Sequence, residues 1–287
     1  MSRLRPSPLT LSALALFTLC ACESGAPHAR RELRTVDIPH VQEIVRDDIR
    51  RHLEGIVEAA GRVGRGFAVE ASVARERQMR RAMHLLQEPR HGVPAFISSP
   101  MSFLCAVLPD GRVMARDSTP DTMKGEDFGV RYPVVHAALT RGETGHALAE
   151  FPSLEEGGEP SFSMIFVAPV RLDGEVVGAL VAGIPLWRWA QRLTRQLHVE
   201  QAADLPNGLV LWVYLTKGER LFHMGTSPDL DEVVPDAASR RRGLAEHPGG
   251  YTGQLQLYGR WYAYGFVPMP NLGDDVGMLL FRADPDS

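Results

Sequence analysis

Cysteine is scarce, positive charge is not in excess, and apolar runs of membrane-spanning length are missing: the 287 residues hold three cysteines and a formal net charge of -4. Two of the cysteines, Cys20 and Cys22, stand together near the start, so the body of the chain keeps only Cys105 and has no partner for an internal disulfide. Its stability has to come from packing. A slightly acidic balance gives no electrostatic reason to expect nucleic acid as a partner. Catalytic signatures are missing too: there is no His-Glu-x-x-His helix, no Gly-x-Ser-x-Gly elbow and no phosphate-cradling loop. Cys105 falls inside an apolar, strand-like run, where a thiol packs rather than reacts. The acidic segment 229–236 lacks the alternating aspartates and the glycine of a calcium loop and reads as a solvated turn. The expectation is a protein that is not an enzyme and carries no cofactor or metal. With 44% hydrophobic and 23% charged residues, the body is an ordinary globular one.

What is present begins with a leader. Arg3 and Arg5 precede an uncharged apolar run over residues 9–21, too short for a bilayer span, which needs about 20 residues. Basic start and short apolar stretch together predict a secretory signal. The order Leu19-Cys20-Ala21-Cys22 resembles the lipobox of bacterial lipoproteins. That resemblance implies a signal peptide over 1–21, acylation of Cys22, and a place in the cell envelope, lipid-anchored and facing the periplasm or exterior. Ordinary signal cleavage is the alternative; zinc binding by Cys20 and Cys22 lacks a second pair of ligands.

After a polar tether over 22–35, apolar residues recur at Ile38, Val41, Val45, Ile49, Leu53, Ile56, Ala60, Val63 and Phe67. Steps of three and four put them on one helix face, with Pro39 acceptable in a first turn. The pattern loosens at Gly61, Gly64 and Gly66, resumes at Met79, Met83 and Leu86, and ends at Pro89. One long helix over 36–89, kinked at the glycines, is the favoured reading; a helix pair packed on itself is the other. Beyond Pro94 come short strands and turns. Pro109-Asp110-Gly111 and Asp173-Gly174 are turns with a mechanism, glycine supplying positive φ. Strand, turn, strand, helix and then three antiparallel strands describe an α+β module. The order repeats after Pro206: Gly218 falls where Gly111 falls, Thr252-Gly253 echoes Thr144-Gly145, Phe266-Val267 echoes Phe166-Val167, and Gly277 echoes Gly178. Several matches in order argue for two copies of one module.

These residues resemble the extracytoplasmic double Cache family, in which a long N-terminal helix carries two PAS-like modules. The resemblance rests on Leu108-Pro109-Asp110-Gly111-Arg112-Val113, on Gly125 with Asp127, and on Arg131-Tyr132-Pro133. Ala168-Pro169-Val170 and Val177-Gly178-Ala179-Leu180 complete it. It implies a first, membrane-distal module over 90–198 and a second, membrane-proximal one over 199–287. It also implies a small-molecule ligand in the first module. There Arg131 offers bidentate donors to a carboxylate and Tyr132 a hydroxyl and an aromatic wall. Asp117 and Asp121 suit an amine, while Phe151, Ser163 and Met164 are expected to line the cavity. The bland alternative pairs Arg131 with Asp127 on the surface and packs Tyr132 in the core. Family members that bind amino acids carry an arginine, tryptophan and tyrosine cluster in the distal module. Here Arg260-Trp261-Tyr262 lies in the second, so an amino-acid ligand is not assigned.

The function expected is a lipid-anchored, ligand-binding sensor or accessory protein that reports to a membrane-embedded signalling partner. A non-catalytic structural or assembly lipoprotein that keeps the fold without a ligand is the alternative. The consecutive Arg240, Arg241 and Arg242 read as a solvated helix face, or as a basic run touching lipid head groups or a partner.

Overall fold

A computed structural model describes residues 26–68, 72–98, 101–153, 157–223, 226 and 228–285. Cys22 and the whole leader lie outside the described residues. The apolar stripe does form a long helix, but it starts earlier and stops sooner than its periodicity predicts. Helix α1 (Ala26–Glu32) runs through one π turn (Leu33–Asp37) into α2 (Ile38–Phe67). Ala26, Ala29 and Leu33 continue the stripe and are buried, so the expected tether is helical from Ala26. Pro39 explains the π turn: it has no N–H for the carbonyl four residues back, and the chain widens so that the Ile38 N–H bonds the Leu33 carbonyl. That widening carries Asp37 inward, where it is 1% exposed.

At its other end α2 stops at Phe67, and the reading of one helix as far as residue 89 is corrected. Helix α3 (Ser72–Leu86) turns back along α2, followed by α4 (Pro94–Ser98). Met79 meets α2 at Gly66, the Arg62 guanidinium donates to the His91 carbonyl at 2.8 Å, and Ala95 packs at Gly55. The helix pair is therefore the arrangement found. Gly64 and Gly66 are notches for close approach: a Cβ at Gly64 would stand 2.7 Å from the Arg171 carbonyl oxygen, whereas Gly61 faces open space.

Two antiparallel five-stranded sheets follow. Strands β1 (Phe103–Val107), β2 (Val113–Arg116), β3 (Gly145–Phe151), β4 (Ser161–Leu172) and β5 (Glu175–Pro185) lie in the order β2-β1-β5-β4-β3. Strands β6 (Val210–Lys217), β7 (Arg220–Phe222), β8 (Tyr251–Leu257), β9 (Arg260–Pro268) and β10 (Val276–Ala283) repeat it as β7-β6-β10-β9-β8. The repeated turns fall where the sequence places them, with Gly111 at φ 91° and Gly218 at φ 57°. The fold is α+β: a long N-terminal helix and two antiparallel-sheet modules.

Strand alternation gives each sheet two faces. On the helix side, Leu104, Met164, Phe166 and Leu180 of the first sheet and Val213, Leu215, Met278 and Leu280 of the second belong to one continuous core with α2. Helix α7 (Leu186–Glu200) bridges the sheets inside that core through Trp189, Leu193 and Leu197. The far face of the first sheet packs under α5 (Phe128–Arg131) and α6 (Pro133–Arg141). Helices α8 (Pro228–Glu232) and α9 (Ala237–Glu246) accompany the far face of the second.

Ion pairs with buried carboxylates tie the long helix to the second sheet and to α7. Asp37 accepts from Arg282 Nη1 at 3.0 Å, and Asp48, 2% exposed, accepts from Arg192 and from Trp189 Nε1 at 3.2 Å. Burial raises both carboxyls above their ordinary value against the pull of their arginines. Such pairs add little net stability over apolar packing, but removing one partner strands a buried charge.

Candidate functional site

The far face of the first sheet has an opening at the end where β2 finishes. Arg116 stands opposite Cys105 in the β1–β2 register, so both point away from α2, together with Phe103 two residues earlier on β1. Ser163 of β4 points the same way and is 4% exposed. Between them lies a cavity of about 200 Å³, walled by Phe103, Phe151 and Met123 and edged by Thr122 and Glu126. Phe103 and Phe151 meet edge to face at 5.5 Å, which fixes the apolar wall.

Arg116 is the unusual group there. Its side chain is 20% exposed and lies over the Phe103 ring, 5.7 Å from the centroid. Its donors are loosely tied: Nη1 to the Thr122 hydroxyl at 3.3 Å, Nη2 to the Ser102 carbonyl at 3.5 Å. Its Nε is buried with no hydrogen-bond partner, the nearest carboxylate oxygen, Asp117 Oδ1, standing 3.8 Å away. An arginine normally closes such bonds at about 2.7–2.9 Å when an anion is present. Nε therefore faces the Asp117 carboxylate in a long ion pair, and the loosely tied Nη1 and Nη2 are the donors with which Arg116 can meet a small acceptor in the cavity it lines.

The residues singled out from sequence are distributed differently. Phe151 and Ser163 line this cavity. Met164 does not: it follows Ser163 in one strand, so it points to the opposite face and is buried against α2 in the main core. Arg131 ends α5 on the surface, pairing with Glu126 at 3.3 Å and covering the Tyr132 ring. Its surface partner is Glu126, whereas the Asp127 side chain caps α5 by accepting from the Val130 N–H at 2.9 Å. Tyr132 is 6% exposed and donates to the Glu150 carbonyl at 3.1 Å, burial pushing its hydroxyl up to about 12. Asp121 is consumed locally: it accepts from Arg80 at 2.7 Å and from the backbone of Arg116, Met123 and Lys124. Asp117 faces α3 and accepts from Gln87 at 2.9 Å.

Cys105 is fully buried, which raises its thiol well above the usual range. Among the described residues no group of three or more histidine, cysteine, aspartate or glutamate side chains is placed to share a metal ion. Nor is the acidic segment merely solvated: Asp231 accepts from the Tyr214 hydroxyl at 3.0 Å, and Asp236 caps α9 through the Ser239 N–H at 2.7 Å. Arginine, serine and threonine around an apolar slot can bind and orient a small anion.

No family model matches this chain, and no curated protein matches it. Solved structures do. The ligand-binding domain of the Campylobacter jejuni chemoreceptor Tlp3 in complex with 4-methylisoleucine is 10% identical, with 91% of this chain and 93% of that one covered and a TM-score of 0.52. The same domain in complex with L-valine is 11% identical over 89% of this chain and 96% of that one, at a TM-score of 0.51. The sensor domain of the V. cholerae histidine kinase DctB is 13% identical over 89% and 96%, at a TM-score of 0.46. Likeness at this identity establishes the fold, a PAS-like double module behind a long helix.

Proposed function

We propose that this protein is an extracytoplasmic sensor that holds a small carboxylate-bearing molecule against Arg116 in its first module and reports to a membrane-embedded partner. The observation that carries the reading is the Arg116 guanidinium, partly buried over an aromatic ring at the cavity, with Nη1 and Nη2 held only by long bonds and Nε by a long ion pair to Asp117. A bidentate carboxylate would replace those bonds with shorter, charge-assisted ones. At about 200 Å³ the cavity is below the ~300 Å³ at which drug-sized pockets begin, so the ligand is small. Glu126 on the same rim offers a counter-charge to an ammonium, which makes amino acids one arm of the test and simple acids the other. Tlp3, whose fold this chain shares, has been captured with amino acids.

We divide the chain into a sensing module over 90–198 and a second module over 199–287. The leader reading supports lipid attachment at Cys22 and residence in the cell envelope. No described helix is long and apolar enough to cross a membrane. A signal requires different affinities for two conformations. Strand β4 is a direct route for one, since Ser163 faces the cavity and its neighbour Met164 faces α2.

A thermal-shift panel of amino acids and short organic acids tests the proposal. A ligand at a hundredfold excess over Kd stabilises by about 2.7 kcal/mol, and for a ligand held in this cavity that shift should vanish in Arg116→Gln and survive in Arg240→Met. One observation favours the second reading, an assembly protein without a ligand. Phe103, Phe128, Tyr132 and Phe151 interlock over much of the far face. No shift across the panel would leave that reading standing.

A further inference from the structure

The three consecutive arginines of α9 fan out by about 100° per residue, and α9 seats the first of them against the sheet. Arg241 and Arg242 are exposed, but Arg240 turns onto the sheet and is 4% exposed. Its Nη1 donates to the Pro235 carbonyl and its Nη2 to the Gly218 carbonyl, both at 2.6 Å, and it lies over the Phe266 ring at 5.7 Å. No carboxylate among the described residues pairs with it. A guanidinium has five N–H donors, and two carbonyls leave the others unanswered. Burial pushes its pKa below the ordinary value, desolvation outweighing the pull of Glu219, Asp236 and Asp275, none of which forms an ion pair with it.

Beside it lies a cavity of about 250 Å³ in the second module. Thr216, Phe266 and Gly277 form its floor, Leu244 of α9 closes one side, and Asp274 and Asp275 of the β9–β10 connection stand on the rim. Arg241 also borders it and is drawn outward to Glu219 at 3.6 Å. We propose that this cavity is a second binding site, for a small aliphatic monocarboxylate whose oxygens accept from the remaining Arg240 donors. The apolar floor suits an aliphatic body, and the two rim aspartates repel a second negative charge. The β9–β10 connection also touches the first module, His146 Nε2 standing 3.0 Å from the Asn271 carbonyl.

Calorimetric titration of the full chain with lactate, and with succinate as the dianionic comparison, tests the site. Lactate should bind saturably and at least tenfold more tightly than succinate. That event should be lost in Arg240→Met, weakened at least tenfold in Leu244→Trp, which fills the cavity from the surface, and retained in Arg116→Gln. Should Arg240→Met fail to fold, Leu244→Trp decides alone, because it leaves Arg240 and its two carbonyls in place. Absence of saturable lactate binding, or binding unchanged in Leu244→Trp, would overturn the proposal. Loss in Arg116→Gln alone would assign the event to the first cavity and overturn it equally.

Discussion

Replacing Arg192 by methionine tests whether an ion pair with a buried carboxylate ties the long helix to α7. Asp48 is 2% exposed and has two side-chain donors, Arg192 and Trp189 Nε1. Methionine keeps much of the packing of the arginine stem but leaves the carboxylate with one neutral donor. Removing one partner of a buried pair costs about 3–5 kcal/mol; because the Arg192 side chain is 27% exposed, water softens the loss and the lower end, about 3 kcal/mol, is expected. In Asp48→Asn/Arg192→Met the stranded charge is gone while Trp189 keeps an acceptor, and roughly 2 kcal/mol should return. The pH dependence has a definite sign. Burial, the largest influence, raises the Asp48 carboxyl above its ordinary 3.8, with Arg192 and His52 pulling it down. Loss of Arg192 raises it further. A carboxyl whose folded pKa exceeds its unfolded one contributes fully below the unfolded value and loses that contribution as pH rises through the folded one. The variant's penalty should thus be small near pH 4 and grow toward neutrality. Urea unfolding followed by tryptophan fluorescence, across that range, measures it. A penalty under about 1 kcal/mol at neutral pH, or a double variant no more stable than the single, would refute the reasoning.

Two further outcomes follow from the packing. Gly64→Val should destabilise by about 1–3 kcal/mol, since its side chain would meet the Arg171 carbonyl, and Gly61→Ala, with nothing within 4 Å, should gain up to about 1 kcal/mol; denaturation midpoints of the two variants give the contrast. Cys105, fully buried and with its thiol raised, should resist an aromatic disulfide reagent in the folded protein. Its modification rate should track unfolding in urea, and fast labelling without denaturant would contradict the packed far face.

Much of the architecture was legible because it rests on local rules. Turns at Asp110-Gly111 and Lys217-Gly218 follow from residues that accept positive φ, and the repeat of those turns in order is what revealed two sheets. The end of α2 was not legible, since Met79, Met83 and Leu86 keep the apolar spacing of α2 while belonging to a separate helix on the same core. Asp121 looked free because its main partner, Arg80, lies on α3, and only the fold brings the two to 2.7 Å. The placing of Met164 was readable: adjacent residues of a strand face opposite sides, so with Ser163 at the cavity Met164 falls in the core against α2. Arg240 was not readable, because three successive positions span only about 200° of a helix and can all be solvated; the seating of α9 on the sheet is what buries the first of them. Arg131 drew notice for its neighbour Tyr132, whereas Arg116 is the guanidinium that the β1–β2 register turns into the apolar face.

The most direct test of the sensor reading compares those two arginines. Equilibrium titration of the unmodified chain, Arg116→Gln and Arg131→Ala with whichever short acid or amino acid gives the largest thermal shift would measure each guanidinium's part. The account predicts a loss of at least ~30-fold in affinity for Arg116→Gln, the scale of a charge-assisted pair worth about 2 kcal/mol, and less than threefold for Arg131→Ala. Equal affinity in Arg116→Gln, or a loss confined to Arg131→Ala, would contradict it.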